Sequence, residues 1–442
     1  MRQYLQHLGE RLRSSFWLVP AVMAVAAIAL SQGMQLVDQV AGPAGLPGMS
    51  WMRLQDPDSA RSLLAMIAGS TITVAGTVFS ITTVALTLAS NQFGPRLVRN
   101  FMRDRGTQCV LGIFLSTFVY ALVTMRGIDA QSDAATNHGL AVHTAVLLAV
   151  VSIAFLIYFI HNVAQSIQVD NVTFHINREL SDAIDRLYPS AHHHFGEGAE
   201  RCDTDRLPLG EDRLSIFCEK SGYIQIINRE KLIRWASEHD CCIRLECHPG
   251  SYLNSWTPVA SVFQPPRHLD SETISKSVAG AIGTGHQPTA EQDIVFSIHQ
   301  LAQIAVRALS PGINDPYTAY ACINRLVDGI GKVLQRPQLP NCFRDDDGNL
   351  RLVTLQLDFA DLLQAAFDEI REYGRQSGVV MRHLVDALLG LTEVCTRTED
   401  RHALRRYTDR LEEDLEKFID DRFDREIIQK KISGIRQWIN LP

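Results

Sequence analysis

The residues best equipped for chemistry stand in one run near position 300. Asp293, His299, Arg307, Ser310, Asn314 and Asp315 all fall within EQDIVFSIHQLAQIAVRALSPGINDP, residues 291–316. Two carboxylates with an imidazole and a guanidinium between them would suit hydrolytic acid–base work if the fold brought them together. Helix punctuation explains the same residues more cheaply. Ser310-Pro311-Gly312 ends one helix, Asp315 caps the next with Pro316 at its first position, and Arg307 bonds the intervening carbonyls or pairs with Asp293. No GxSxG, Walker loop or HExxH is present. The run is therefore expected to be a hinge or ligand pocket, and no catalytic residue is assigned.

A second pattern lies within residues 62–95. Ser70, Thr73, Thr77, Ser80, Thr87 and Asn91 recur at alternating steps of three and four, with Val84 filling the one gap. That spacing puts them on one helical stripe. Gly69, Gly76, Thr83 and Ser90 form an adjoining seam of small residues. Such hydroxyls can line a solute path, replacing part of its hydration. They can equally serve packing, each bonding the carbonyl one turn earlier while small residues admit a neighbour. The segment that follows, FGPRLVRNFMR at 93–103, alternates basic and apolar faces like an interfacial helix. Repeated around an oligomer, Arg96, Arg99 and Arg103 would focus anions at a cytoplasmic mouth; alone, they anchor the chain on the inner face.

Metal chemistry finds little support. His192-His193-His194 near His175 and Cys202, and Cys241-Cys242 near Cys247-His248, lack a standard ligand spacing. His143 and His161 are 18 positions apart, about 27 Å along a helix, too far to share an ion. No metal or cofactor is assigned. The nine cysteines form no CxxC pair, and with eight of them expected in the cytoplasm, disulfides are not expected. No basic aromatic platform points to nucleic acid.

The elements that must carry these residues follow from composition. The chain has 442 residues, 46 % apolar and 21 % charged, with a net charge of −7. Residues 16–36, 62–95, 106–125 and 134–169 contain no charged side chain. Each covers the roughly 20 residues a helix needs to cross hydrocarbon. The absence of a carboxylate from these runs argues against a proton-coupled pump. The first run is too long for a signal-peptide core and is expected to be an uncleaved helix. Arg2, Arg11, Arg13, Arg96, Arg99, Arg103 and Arg105 fall on one side, against Arg53, Arg61 and Arg126 among five aspartates on the other. Both termini are therefore expected in the cytoplasm of a bacterial inner (plasma) membrane. Trp17 and Trp51 suit interfacial positions.

Beyond a helical connector at 166–206 the pattern turns to short β-type runs at 214–218, 223–227 and 243–247, with a helix at 229–239. The stretch PGSYLNSWTPVASV resembles the turn-strand-turn-strand run of biotinyl/lipoyl-like sandwich barrels, without a modifiable lysine at the turn. A small structural β-barrel-like domain is expected at 207–268. From 269 to 442 helices dominate, at 291–309, 358–373, 379–395, 398–420 and 424–440.

Four segments together are similar to the domain-of-unknown-function family of predicted bacterial integral membrane proteins. They are TITVAGTVFSITTVALTLASNQFGPRLVRNFMRDR, LIYFIHNVAQSIQV, EQDIVFSIHQLAQIAVRALSPGINDPYTA and AAFDEIREYG. The resemblance implies a four-span domain at 1–165 and a cytoplasmic C-terminal part; it implies no reaction. At GTGHQPTAEQD the chain has His286-Gln287-Pro288 where the resemblance implies an arginine-bearing run. The fold class expected is a membrane α-helical protein with four transmembrane helices, followed by a cytoplasmic α+β region. The function expected is an oligomeric channel or channel-like transport protein with a cytoplasmic sensing or assembly domain. The alternatives are a membrane-anchored regulatory or scaffold protein binding a cytoplasmic partner or ligand, and a membrane enzyme using Asp293 and Asp315. The partners expected are the lipid bilayer, further copies of the chain, and an ion or small-molecule ligand.

Overall fold

The computed structural model describes residues 17–41, 56–93, 105–128, 139–166, 168–189, 198–204, 207 and 210–439. Arg96, Arg99 and Arg103, together with Trp51 and His192 to His194, lie outside them. The chain divides into two compact units, Met1–Asn171 and Val172–Pro442.

The first unit holds four helices long and apolar enough to cross a membrane: α1 (Leu18–Ala41), α2 (Pro57–Phe93), α3 (Arg105–Gly127) and α4 (Gly139–Ser166). Helix α3 is central and packs on the other three. Its Tyr120 and Ala121 join Leu64, Ile67, Val142 and Ala145 in one buried cluster, and Val110 and Phe114 join Val78 and Phe159 in another. Gly112 brings α1 close, since a Cβ there would collide with Met23. Apolar burial alone holds helices together poorly in lipid, so buried polar contacts fix their register. Ser31 shares a 2.8 Å hydrogen bond with Thr124, and Thr117 shares one of 3.0 Å with Ser152. Helix α1 also runs on to Ala41 and so carries Asp38. That corrects the expectation of spans without a carboxylate. The Asp38 carboxylate accepts the backbone N–H groups of Leu140 (3.1 Å) and Ala141 (2.9 Å). A buried acid at the start of α4 thus takes up donors that the helix itself leaves unpaired.

The second unit is a mixed α/β body. Helix α5 (Val169–Leu187) leads into it, burying Ile176, Leu180 and Ile184. Strands β1 (Ala199–Glu200), β2 (Arg213–Phe217) and β3 (Gly222–Ile227) precede α6 (Arg229–Glu238). Then come β4 (Cys242–Leu245), β5 (Tyr252–Leu253), β6 (Pro258–Phe263), α7 (Ser271–Ala279) and β7 (Ile282–Gly285). Helices α8 (Ile294–Ala308) and α9 (Pro316–Leu334), strands β8 (Cys342–Arg344) and β9 (Leu350–Val353), and helices α10 (Phe359–Gly374), α11 (Gly378–Thr392), α12 (Thr398–Phe418) and α13 (Arg422–Ile439) complete the chain.

The strands form two open sheets, ordered β1-β8-β9-β4-β6-β2 and β5-β3-β7. They do not close into a barrel, which corrects the barrel-like expectation. The physical reason lies in PGSYLNSWTPVASV itself: its first strand, β5, pairs with β3, while its second, β6, pairs with β2 and β4 in the other sheet. All pairings are antiparallel except β4 with β9, where Ile243 faces Leu352. Helices α6 and α7 contribute Leu232, Ala236, Ile274 and Val278 to the core over Ile243, Val262 and Leu352. The helices that follow have clear starting signals. Asp293 caps α8, Asp315 caps α9 with Pro316 behind it, and Asp358 with Asp361 forms a capping box on α10.

Cys202 and Cys342 form a disulfide, with Cα atoms 6.1 Å apart, correcting the expectation of none. Antiparallel pairing of Glu200 with Cys342 sets the two segments side by side. The Asn341 side chain then holds the Cys202 backbone, accepting its N–H at 2.8 Å and donating to its carbonyl at 2.9 Å.

Candidate functional site

Helix α2 shows two opposite faces. Leu64, Ile67, Ala68, Thr71, Ala75, Val78, Ala85 and Ala89 are buried against the bundle. Ser70, Thr73, Thr77, Ser80, Thr87 and Asn91 are all exposed, and a Cβ at Gly69 or Gly76 would meet nothing within 4 Å. The other three helices leave the stripe uncovered. Thr73, Thr77 and Thr87 each donate their hydroxyl proton to the carbonyl four residues back, at 2.8, 3.1 and 2.9 Å. Ser70 donates to Ile67 at 3.0 Å. A hydroxyl that has given its proton to the helix presents lone pairs outward, so this face offers acceptors.

The polar residues near position 300 are not brought together. Asp293 stands before α8 and Arg307 in its last turn. Fourteen positions along the helix separate them, about 21 Å at 1.5 Å per residue, so they form no pair. Asp315 lies at the Arg307 end. Its carboxylate accepts the Thr318 N–H at 3.2 Å and the Thr318 hydroxyl at 2.6 Å. Ser310 donates to the Arg307 carbonyl at 2.7 Å, and the Asp315 N–H reaches back to Ala308 at 2.8 Å. The left-handed residue in this turn is Asn314, with φ 49°, and not Gly312. The two acids are thus starting caps of successive helices, and the proposed enzyme site using both does not form.

Asp293 belongs to a different constellation. A cavity of about 60 Å³ is lined by Tyr188, Ile227, Arg229, Leu245, Cys247, His248, Gln292, Asp293 and Gln356, among others. The end of α5, the start of α6, the loop between β4 and β5, the start of α8 and the segment after β9 contribute its polar groups. One Asp293 oxygen accepts the Val295 N–H at 2.9 Å. The other faces Gly250, whose φ of +90° and missing side chain leave it room, since a Cβ there would collide with it. Burial pushes the Asp293 carboxyl up to about 6, against the opposing pull of the Val295 N–H and of His248. Burial also drives the Tyr188 phenol up to about 12, with Asp293 adding to the rise and Arg229 opposing it. The Arg229 guanidinium is held below its ordinary value by burial. Among the described residues it makes no hydrogen bond or ion pair and lies 5.8 Å from the Phe343 ring centre. The His248 Nδ1–H donates to the Pro249 carbonyl at 2.8 Å.

Sequence reasoning named Asp293, and His248 only within an unsupported metal pattern, but missed Tyr188 and Arg229. Tyr188, Arg229 and His248 are far apart along the chain, and no spacing rule links them. A glycine after proline at 249–250 was the one local sign of a backbone that needs freedom. Among the described residues no group of three His, Cys, Asp or Glu side chains is placed to hold a metal ion.

Residues 13–389 match the model of a family described as predicted membrane protein, DUF2254. The chain is 31 % identical over 358 residues to an uncharacterized protein of Mycobacterium tuberculosis (strain CDC 1551 / Oshkosh). It shows the same identity over the same length to uncharacterized proteins of Mycobacterium bovis and of M. tuberculosis strain H37Rv. The alignments cover 79 % of this chain and 66 % of each relative, so the chain spans just under two thirds of their length. No solved structure matches.

Proposed function

Because the chain belongs to the DUF2254 predicted membrane protein family and, among the described residues, leaves one hydroxyl-bearing helix face uncovered, we propose that it is a channel-like transport protein. Several copies would bring their α2 helices together around a common axis. The observation that carries this is the exposure of Ser70, Thr73, Thr77, Ser80, Thr87 and Asn91. Facing lipid, these hydroxyls would leave their outward lone pairs unused, whereas on a wet axis the lone pairs stand in for water around a solute. The glycine seam beside them admits close approach of a neighbouring helix. The location proposed is a bacterial inner membrane with both termini in the cytoplasm, where Arg96, Arg99 and Arg103 would line the mouth.

The test is conductance of the purified protein in planar bilayers, paired with cross-linking of a Thr73→Cys variant. Current that changes with Thr77→Val, together with a cross-linked species between copies, supports the proposal. Silence under varied voltage, pH and salt, with no cross-link, rejects it. The second reading, a membrane-anchored regulatory protein, draws on the cavity in the C-terminal unit. It expects Thr77→Val and Ser80→Ala to be tolerated and substitutions around the cavity to abolish the phenotype.

A further inference from the structure

We propose that the cavity bounded by Tyr188, Arg229, His248 and Asp293 is a binding site for a small oxyanion, a phosphate or carboxylate group, anchored by the Arg229 guanidinium. The site stands whether or not α2 conducts.

Three observations carry it. Arg229 is half-buried, and a guanidinium whose donors no protein acceptor takes has them free for a ligand. Arg229 has an aromatic ring beside it and no carboxylate bonded to it among the described residues. Its planar fork matches two oxygens of a phosphate or carboxylate. Size agrees as well. A water-sized occupant needs roughly 10–15 Å³ of such space, so about 60 Å³ takes four to six heavy atoms, the scale of one oxyanion. Finally, the remaining groups supply donors. The Tyr188 hydroxyl is one, while the Gln292 amide is already engaged with the Ile227 backbone.

Asp293 sets the condition under which the site accepts an anion. An ionised carboxylate would repel the ligand, and a protonated one would donate to it. Its carboxyl lies at about 6, so binding is expected to carry a proton onto Asp293 and to weaken as pH rises. The charged and titratable groups facing it are His248 from the β4–β5 loop, Tyr188 from the end of α5 and Arg229 from α6. Asp361 on α10 acts on His248. Allowing binding only to the protonated form gives a loss of about 25-fold between pH 5.5 and 7.5.

Equilibrium dialysis of the full chain in detergent with radiolabelled sulfate, which does not titrate in this range, tests the proposal. One sulfate per chain is expected at pH 5.5, with the loss above at pH 7.5. Arg229→Gln should weaken binding at least tenfold at both values. Asp293→Asn keeps the helix cap and mimics the protonated acid, so at pH 7.5 it should bind as the unaltered protein does at 5.5. Competition by inorganic phosphate but not acetate would assign a tetrahedral ligand, and the reverse a carboxylate; displacement by neither overturns the site. So does the absence of saturable binding at pH 5.5, or an Arg229→Gln protein that folds and binds like the parent. Loss of the pH dependence in His248→Gln but not in Asp293→Asn overturns the role of Asp293.

Discussion

Replacing Asp38 by alanine should loosen the membrane bundle at the point where α1 meets the start of α4. The carboxylate is 3 % exposed and accepts two backbone N–H groups, from Leu140 and Ala141. A hydrogen bond to a charged group contributes roughly 1.5–3 kcal/mol, and a buried donor left without a partner costs roughly 1–3 kcal/mol. Two such donors put Asp38→Ala at about 3 kcal/mol. Asp38→Asn keeps one acceptor oxygen and so should lose about half of that. At about 2–4 °C per kcal/mol for a body of this size, the alanine variant should melt roughly 6–12 °C lower and the asparagine variant about half as much. Thermal unfolding of the purified protein in detergent, followed by circular dichroism of the helices, reads both. A Tyr120→Phe control, which loses one neutral bond to the Ala141 carbonyl at 3.0 Å, should cost only about 1 kcal/mol. An alanine variant within a degree of the parent, or an asparagine variant as damaged as the alanine one, would refute the idea that acceptor count at α4 sets the stability.

Three further outcomes are expected. The Asp293 carboxyl is raised to about 6 in the folded chain, above an unfolded value near 4. The folded state therefore gains nothing from its ionisation, and stability declines as pH climbs from about 4 to 6 and stays low beyond. Asp293→Asn should then stabilise by roughly 2 kcal/mol at pH 8 and change little at pH 4 in denaturant titrations; stabilisation growing toward acid would contradict it. Gly250→Ala forces a side chain onto a φ of +90° and into the Asp293 carboxylate. It should cost roughly 2–4 kcal/mol, falling to about 1–2 when Asp293 is also alanine, because only the backbone strain then remains. Serine at Cys202 or Cys342 should lower the free energy of unfolding by about 2–5 kcal/mol in oxidising buffer and not in reductant, with a shift on non-reducing gels as the direct readout.

What could be read from the residues was local. The uncharged runs became α1 to α4, and the β-type runs at 214–218, 223–227 and 243–247 became β2, β3 and β4 within a residue or two. Proline at 316 after a carboxylate marked the start of α9, because capping chemistry needs only near neighbours. The misses were all long-range. Residues 342–344 and 350–353 are too short to show a strand pattern by themselves, yet they enter the main sheet because β9 pairs in parallel with β4 across most of the unit. Asp38 read as a loop residue diluting positive charge. It became a buried cap only because α1 continues a turn past its apolar run to meet α4.

Helix α8 explains why the site was half visible. Its sequence joins a capping acid at one end to a tight turn at the other, and in one dimension the two acids look like a pair. Three-residue and four-residue periodicity along 294–308 spends the intervening side chains on burial: Ile298, Leu301, Ile304 and Ala305 are fully covered. A rigid rod of about 22 Å then holds Asp293 and Asp315 apart, and each acquires the neighbours of its own end. Asp315 finds a threonine and stays a cap. Asp293 finds a glycine that makes room and an imidazole from one loop, a phenol and a guanidinium, drawn from three other segments. The same residue type in the same structural role is therefore chemically inert at one end of the rod. At the other end burial raises its carboxyl to about 6, and the difference comes from what the sheet and α5 place beside it.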